Sequence, residues 1–196
     1  MIRWGISAYN HNAALAVVED DEILFASESE RYSGIKNDAN LPDNLIEAAL
    51  EYGEPTQILW YESNFLKNLR RLCAKQGWKS IKKHPYLKRY NIKSHFHHKT
   101  HASAGFYTSP FETASVLVID AIGEFTTTSI WNGGRWLSKV WSDSYPKSLG
   151  LFYSAITHRV GLKPNEEEYI LMGMAAYGDP DRYYEQMKPL LNVNLH

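Results

Sequence analysis

The first part of the chain alternates short apolar runs with polar breaks. The runs Ile2–Ala8, Ala13–Glu19 and Glu22–Ser27 each have the length of a β-strand, and the acidic pair Asp20-Asp21 separates the last two. Runs of this length with tight polar breaks are typical of sequential strands. The pattern therefore predicts a three-stranded meander that opens a β-sheet.

Helical spacing of apolar residues follows and alternates with one short strand. One helical pattern begins at Leu41-Pro42-Asp43 and stops before Gly53, and a second covers Phe65–Gln76. The run Thr56–Tyr61 between them predicts a strand. The lysine-rich segment Trp78–Asn91 shows neither the helical nor the strand spacing of apolar residues, and it is predicted to be a surface excursion. Strands that alternate with helices favour an α/β fold with crossover helices.

A second meander pattern appears further along the chain. The apolar run Ser115–Asp120 is followed by Thr126–Trp131 and Arg135–Trp141, and the turn Asn132-Gly133-Gly134 joins the last two as a predicted hairpin. Two helical patterns then cover Ser148–Val160 and Glu166–Ala175. Because this layout repeats the first, we predict a duplicated α/β unit, with a first lobe at residues 1–112 and an incomplete second lobe at residues 113–196.

The charges nearly cancel, but they are unevenly distributed. Lys and Arg number 21 against 22 Asp and Glu, so the net charge of −1 attracts neither nucleic acid nor an anionic membrane. Eleven Lys and Arg nevertheless lie between Lys67 and Lys99, and no acid occurs between Glu62 and Glu112. We interpret this basic block as a solvated helix face, with phosphate or RNA binding as the alternative.

Cysteine content and hydropathy suggest where the protein functions. Cys73 is the only cysteine, which excludes an intrachain disulfide and a cysteine-based zinc site. The first residues lack the pattern of a signal peptide, and no apolar run approaches the roughly 20 residues of a membrane helix. We therefore expect a cytoplasmic protein with no membrane partner.

Two histidines and one aspartate are the strongest candidates for a reactive centre. His97 and His101 are four residues apart, so a helix that begins here would place both imidazoles on one face. Asp120 ends an apolar strand 19 residues after His101. Two imidazoles and one carboxylate are the ligands of a facial metal triad. The alternative is a solvated histidine-rich patch beside the basic block.

Two further groups of polar residues follow predicted strands. His11 lies between two asparagines in the turn after the first strand, where it could act as a proton shuttle or simply be a capped loop histidine. Arg31 and Lys36 follow the third strand within a cluster of mixed charge. Such a cluster is ordinarily a surface ion-pair group, and anion binding is the alternative.

Several segments, in order, resemble motifs of the NodU-type O-carbamoyltransferases. The opening resembles the family's G-I-[NS] and H-D-[AS]-A-A motifs, and residues 28–38 resemble its E-E-R-F-S-R-I-K-H-D segment. The histidine segment resembles H-H-x-x-H-A-x-S-A-F-Y, and the end of the strand at Asp120 resembles D-G-x-G-E. The matching segments of this chain are Gly5–Ser7 with His11–Ala14, Glu28–Asp38, His97–Tyr107, Val118–Glu124, Ser148–Tyr153 and Met172–Gly178.

The resemblance implies a ribonuclease-H-like lobe of the actin/Hsp70-type ATPases, related to the tRNA threonylcarbamoyl-transfer enzyme. It implies that His97, His101 and Asp120 bind a divalent metal, most often iron, and that His11 lines the carbamoyl site as a catalytic residue. By the same resemblance, the substrate and its phosphate are bound by Asn12, Arg31 and Lys36.

The family reaction consumes ATP and carbamoyl phosphate, forms carbamoyl adenylate at a YrdC-like domain, and transfers the carbamoyl group to a small-molecule hydroxyl in biosynthesis. This chain departs from the family pattern at Asn12, Ala121 and Ile170, where the usual residues are Asp, Gly and Lys. Because family members are several hundred residues long, we expect an enzyme that is incomplete alone and needs a carboxy-terminal half in trans. The alternatives are a non-catalytic metal- or nucleotide-binding remnant and a protein related to tRNA modification.

Overall fold

The three amino-terminal strands form the predicted meander. The computed structural model describes residues 1–10 and 12–191. Strands β1 (Ile2–Ser7), β2 (Ala14–Glu19) and β3 (Glu22–Glu28) are joined in sequence. β1 pairs antiparallel with β2, and β2 pairs antiparallel with β3. The apolar alternation therefore identified this part of the sheet correctly.

Two parallel strands extend the sheet beyond β1. After the short helix α1 (Glu30–Ser33), helix α2 (Asp43–Leu50) leads to β4 (Gln57–Trp60), and helix α3 (Asn64–Cys73) precedes β5 (Ile92–Ser94). The strand order is β3-β2-β1-β4-β5, with β4 parallel to both β1 and β5. A meander extended by crossover strands in this order is the ribonuclease-H-like arrangement of actin-type ATPase lobes, so the predicted α/β fold class is confirmed.

One face of this sheet forms the main hydrophobic core. Successive strand residues point to opposite faces, so every second residue contributes to the core. The fully buried strand residues are Trp4, Ile6, Leu15, Val17, Ile58 and Trp60, and α2 covers them with Leu45, Ile46 and Ala49. Each large side chain buried in this way contributes roughly 1.5–3 kcal/mol to folding.

The lysine-rich segment between α3 and β5 differs from the predicted surface excursion. A short 3-10 helix forms at Ile81–Lys83. Ile81 and Leu87 are 1% and 0% exposed and belong to the main core. Two isolated apolar residues have no detectable period in the sequence, yet they are enough to attach the segment to the domain.

The basic block is also less solvated than its composition indicated. Lys67 on α3 is buried, and its Nζ donates to Glu62 Oε2 at 2.6 Å. Both side chains are less than 10% exposed. The interpretation of the block as a solvated helix face is therefore wrong at Lys67, because Glu62 at the end of β4 neutralises its charge inside the protein.

A second, three-stranded sheet follows helix α4 (His97–Tyr107). Its strands are β6 (Ala114–Ile119), β7 (Thr126–Gly133) and β8 (Ser138–Ser144), in antiparallel order β6-β7-β8. α4 packs on one face of this sheet through Ala102, which lies with Val118 and Trp131 in a small second core. The second predicted meander is therefore present.

Gly133 lies in this sheet for a reason other than the predicted turn. It ends β7 instead of forming the hairpin turn. A Cβ atom on Gly133 would lie 2.4 Å from the Phe106 ring of α4. Glycine at this position therefore permits the close approach of helix and sheet, which the sequence alone does not reveal.

The chain divides into two compact units, Met1–Gly150 and a second that begins at Leu151. Helices α5 (Leu149–Arg159), α6 (Glu168–Ala175) and α7 (Tyr184–Met187) complete the described chain, followed by a short 3-10 helix at Lys188–Leu191. The division into lobes at residues 112 and 113 stays a prediction. Within residues 1–10 and 12–191, none of the helices has the length and apolar character needed to cross a membrane.

Candidate metal centre

Helix α4 begins at the first histidine of the candidate triad. His97 is its first residue and His101 lies one turn further, so the two imidazoles stack on the same side of the helix. Their Nε2 atoms are 3.0 Å apart. The spacing in the sequence therefore produces the predicted convergence of two imidazole nitrogens.

Asp120 meets these imidazoles from the second sheet. It directly follows β6, and its Oδ2 atom lies 2.9 Å from His97 Nε2. One ligand atom from each of His97, His101 and Asp120 lies within 4.8 Å of the others. Neighbouring ligands at right angles, each about 2.1 Å from a metal ion, are about 3.0 Å apart. Two of the three distances therefore match cis ligands of an octahedral ion.

The three candidate ligand atoms are Nε2 of His97, Nε2 of His101 and Oδ2 of Asp120, and they face one another. Among residues 1–10 and 12–191, the buried Asp120 Oδ2 has no hydrogen-bond partner, although His97 Nε2 lies 2.9 Å from it. The Nε2 atoms of His97 and His101 face each other, and two neutral imidazoles satisfy such a contact only if one donates a proton. A divalent cation would accept lone pairs from all three atoms, so the donor set fits a metal such as iron, manganese or zinc.

The local environment keeps Asp120 and His101 deprotonated at neutral pH. Burial acts to raise the pKa of Asp120, but the nearby His97 imidazole, the N–H of Ala121 and His101 outweigh it and lower the pKa to about 2. Burial lowers the pKa of His101, and the adjacent His97 lowers it further, while Asp120 opposes both. A carboxylate and a neutral imidazole are the forms that bind metals.

A buried glutamate holds the beginning of α4 in place. Glu124 is 4% exposed, and its Oε1 atom accepts the backbone N–H of His97 at 3.0 Å. The same oxygen accepts the N–H of Ser63, the N-cap of α3, at 2.6 Å. A carboxylate at the amino-terminal ends of two helices satisfies otherwise unpaired donors there. Glu124 therefore fixes the position of His97 relative to the end of β4.

We expect Glu124→Ala to weaken metal binding by about tenfold or more, because the loss of a supporting hydrogen-bond partner typically costs 10–100-fold in metal affinity. Glu124→Gln keeps an oxygen that accepts both N–H groups, so its affinity should stay within about threefold of the parent. Competition with a fluorescent chelator measures both values. Equal affinities for the parent and Glu124→Ala, with unchanged circular dichroism, would contradict this role.

Tyr61 connects the triad to the turn after β1. Its ring meets that of His97 edge to face, with centroids 5.4 Å apart, and its hydroxyl donates to Ala8 O at 3.3 Å. Its own carbonyl accepts the Thr100 hydroxyl at 3.1 Å. Burial raises the pKa of Tyr61 far above its usual range, so the phenol stays protonated. Sequence reasoning missed Tyr61, and its position directly after a parallel strand was the only signal.

The residues predicted to contact the substrate lie after β1 and after β3 in the sequence. His11 lies outside the described residues. Asn12 N donates to Asn37 O at 3.4 Å, and Ala13 N donates to Asp38 O at 2.7 Å, so the turn after β1 lies against the segment that contains Lys36. Arg31 is exposed on α1. The structure thus brings Asn12 and the Lys36 segment together, while the predicted substrate contacts stay untested.

Two glycines allow close packing around the triad. A Cβ atom on Gly123 would lie 3.1 Å from the Cβ and Cδ2 atoms of His97, and one on Gly150 would lie 2.6 Å from the backbone of Ala121. The Ser148 hydroxyl donates to Ala121 O at 2.7 Å. The peptide that follows Asp120 is therefore held on both sides, which limits movement of the carboxylate.

His98 has a structural role beside the predicted ligands. It is 3% exposed, and its Nδ1 lies 2.8 Å from Ser129 Oγ on β7. The same hydroxyl oxygen accepts the Trp131 indole N–H at 2.8 Å. Burial lowers the pKa of His98, so the ring stays neutral between helix and sheet.

Comparison with solved structures finds weak likenesses. The Ppx/GppA family member of Aquifex aeolicus has a TM-score of 0.39 and 15% sequence identity, over 97% of this chain and 62% of that chain.

Comparison with sequences identifies the family. The profile described as "Carbamoyltransferase N-terminus" matches residues 47–194. An uncharacterised protein of Synechocystis is 36% identical over 90% of this chain and 34% of its own length. Nodulation protein NolNO of Sinorhizobium fredii is 29% identical over 95% of this chain and 31% of its own length. The chain spans about a third of the length of these relatives. It belongs to the NodU-type carbamoyltransferase family and corresponds to the amino-terminal part.

Proposed function

We propose that this chain is the metal-bearing portion of an O-carbamoyltransferase that transfers a carbamoyl group from carbamoyl adenylate to an acceptor hydroxyl. Carbamoyl phosphate and ATP supply the adenylate. The observation that carries the proposal is the convergence of His97, His101 and Asp120 from two separate elements. The family membership connects this convergence to carbamoyl transfer.

The proposed transfer needs little covalent chemistry from the protein. The acceptor oxygen forms a bond to the carbamoyl carbon, the bond from that carbon to the AMP oxygen breaks so that AMP leaves, and the proton of the acceptor hydroxyl passes to a base, for which we propose the His11 imidazole. A bound divalent ion, iron in our proposal, would stabilise negative charge that develops on the adenylate. Asp120 and the two imidazoles would hold this ion, while Glu124 and Tyr61 keep His97 in position.

The loops near the end of β1 suit the anionic part of the substrate. We propose that Arg31 and Lys36 attract the phosphate and that Asn12 and His11 contact the carbamoyl group. The backbone hydrogen bonds between the turn at Asn12 and residues 37–39, which directly follow Lys36, support a common site for Asn12 and Lys36. The exposed free thiol of Cys73 is consistent with a reducing compartment, and we include a cytoplasmic location in the proposal.

The experiment for this proposal combines two protein parts. The chain is co-expressed with the portion of the Synechocystis relative that it does not match, then supplied with ATP, isotope-labelled carbamoyl phosphate and a panel of sugars and other hydroxyl compounds. We expect a labelled carbamate, detected by mass spectrometry, that disappears with His101→Ala. Metal binding without any product, from soluble co-purified protein, would instead support a non-catalytic binding remnant.

A further inference from the structure

Helix α3 exposes its apolar side. Phe65, Leu69 and Leu72 recur at helical spacing and are 67%, 42% and 53% exposed. We call these three residues the apolar stripe. A surface helix ordinarily turns such a stripe toward the protein core, where burial of each large side chain is favourable. The reversed orientation of α3 therefore marks an interaction surface.

The polar side of α3 attaches the helix to the protein. Asn64 Nδ2 donates to Ser80 Oγ at 3.0 Å, and Asn68 Nδ2 donates to Lys79 O at 2.7 Å. Lys67 on the same side is buried. These contacts hold α3 against the segment that follows it. The exposure of the apolar stripe is therefore a consequence of specific polar contacts and not of a loosely attached helix.

The segment held by α3 is strongly basic. No acidic residue occurs between Glu62 and Glu112, and the 3-10 helix at Ile81–Lys83 begins directly after Ser80. Trp78 in this segment is 47% exposed. Five exposed lysines that follow the apolar stripe lie in no salt bridge within residues 1–10 and 12–191, and we call them the lysine cluster: Lys75, Lys79, Lys82, Lys83 and Lys88.

The local charge, and not the net charge, decides electrostatic attraction at this surface. The net charge of −1 is a sum over the whole chain, but salt screens charges beyond about 8–10 Å under physiological conditions. An anionic surface that approaches α3 is therefore attracted by the lysine cluster even though the whole chain is nearly neutral. The expectation of no membrane partner rests on the net charge, which does not govern the behaviour of this helix.

We propose that the apolar stripe and the lysine cluster dock the chain peripherally on an anionic lipid surface. The stripe inserts at the boundary of headgroups and acyl chains, and the lysines lie against the lipid phosphates. Trp78 lies at the same boundary, where an indole ring is favourable. Clusters of four to eight basic residues on or beside an amphipathic helix are typical of proteins that recognise anionic lipids. The proposal goes beyond carbamoyl transfer and is independent of the metal centre.

A lipid surface suits this helix better than a folded protein partner does. A protein that binds an amphipathic helix has to provide a groove that matches the stripe, whereas a lipid surface needs no matching shape. The cluster consists of lysines alone, which act as flexible point charges. Mobile lipid headgroups can meet such charges without the fixed geometry that arginine recognises in a carboxylate.

Flotation with lipid vesicles measures the binding. Vesicles of equal parts phosphatidylcholine and phosphatidylglycerol should bind the chain, and vesicles of phosphatidylcholine alone should not. Cys73, the only cysteine, is exposed and follows Leu72 on α3, so it can carry a polarity-sensitive fluorophore. The emission of this fluorophore should shift to shorter wavelength with the anionic vesicles, because the helix enters an apolar environment.

Leu69→Asp tests the apolar stripe. It should lower the affinity for anionic vesicles by about tenfold or more, because an apolar anchor is replaced by a charge that the surface repels. Ile23→Asp is the matched control, since Ile23 is a 69% exposed residue of β3 and its variant should bind like the parent. Circular dichroism and the melting temperature of both variants verify that the chain is folded.

The double variant Lys82→Ala with Lys83→Ala tests the lysine cluster. Each lysine near an anionic surface contributes about fivefold to the affinity, so the double variant should bind about tenfold or more weakly. Arg135→Ala with Lys139→Ala is the matched control. It removes the same charge from two exposed residues in and before β8, and it should bind like the parent.

Four results would overturn the lipid-docking surface. One is failure of the parent to bind anionic vesicles, and another is unchanged binding of Leu69→Asp. The third is a dimer of the chain, seen by sedimentation velocity and abolished by Leu69→Asp, because the stripe would then bind a second copy. The fourth is loss of vesicle binding when the unmatched portion of the Synechocystis relative co-purifies with the chain, because that portion would then cover the stripe. Each can occur while the chain retains its metal, so it is distinguishable from failure of the proposed function.

Discussion

Alanine in place of His97, His101 or Asp120 is expected to reduce bound metal from near stoichiometric to background. Each residue contributes one of the three clustered ligand atoms. Each alanine variant removes one of these three donor atoms and leaves two protein ligands. Two protein ligands rarely retain a divalent ion in competition with water. Elemental mass spectrometry on protein purified without a histidine tag measures the metal content of the parent and all three variants.

His158→Ala is the matched control for the metal measurement. His158 is an exposed histidine on α5, so its loss removes an imidazole without touching the triad. The control should keep the metal content of the parent. Equal metal loss in His158→Ala and His101→Ala would show nonspecific surface binding. A parent that binds no metal when iron, manganese or zinc is supplied would contradict the proposed centre.

Lys67→Met is expected to destabilise the protein by about 3–5 kcal/mol, because it leaves the carboxylate of Glu62 buried without its partner. Glu62 is 3% exposed, and the ammonium group of Lys67 lies 2.6 Å from its Oε2 atom. Methionine keeps most of the aliphatic volume and removes only the charge. Urea unfolding followed by circular dichroism measures the change in the free energy of unfolding.

Two further variants distinguish this buried pair from an ordinary ion pair. Arg89→Met breaks the pair between Arg89 and Glu54, whose side chains are 59% and 67% exposed, and it should leave the free energy of unfolding almost unchanged. The double variant Glu62→Leu with Lys67→Met removes both buried charges and should recover most of the stability lost by Lys67→Met. If Lys67→Met lowered the free energy of unfolding no more than Arg89→Met does, the charge of Glu62 would have to be neutralised by a group other than Lys67.

Much of the fold could be predicted because its signals are local. Alternating apolar residues and tight turns predict both meanders, since each strand pairs with the next one along the chain. The four-residue spacing of His97 and His101 predicts two convergent imidazoles as soon as a helix begins there. Asp120 was predictable as a candidate ligand because a carboxylate directly follows an apolar strand.

The sequence by itself thus determined the meanders, the alternation of helices and strands, and the ligand types of the candidate centre. Only the tertiary structure decided the roles of Glu124 and Tyr61, the burial of Lys67, and the need for glycine at Gly133. The roles of Glu124, Tyr61 and Lys67 each depend on a contact with a residue 5 to 61 positions away in the sequence, outside the element on which the residue lies. Strand and helix periods record only which face a residue occupies, whereas these roles arise from which faces meet when the elements pack.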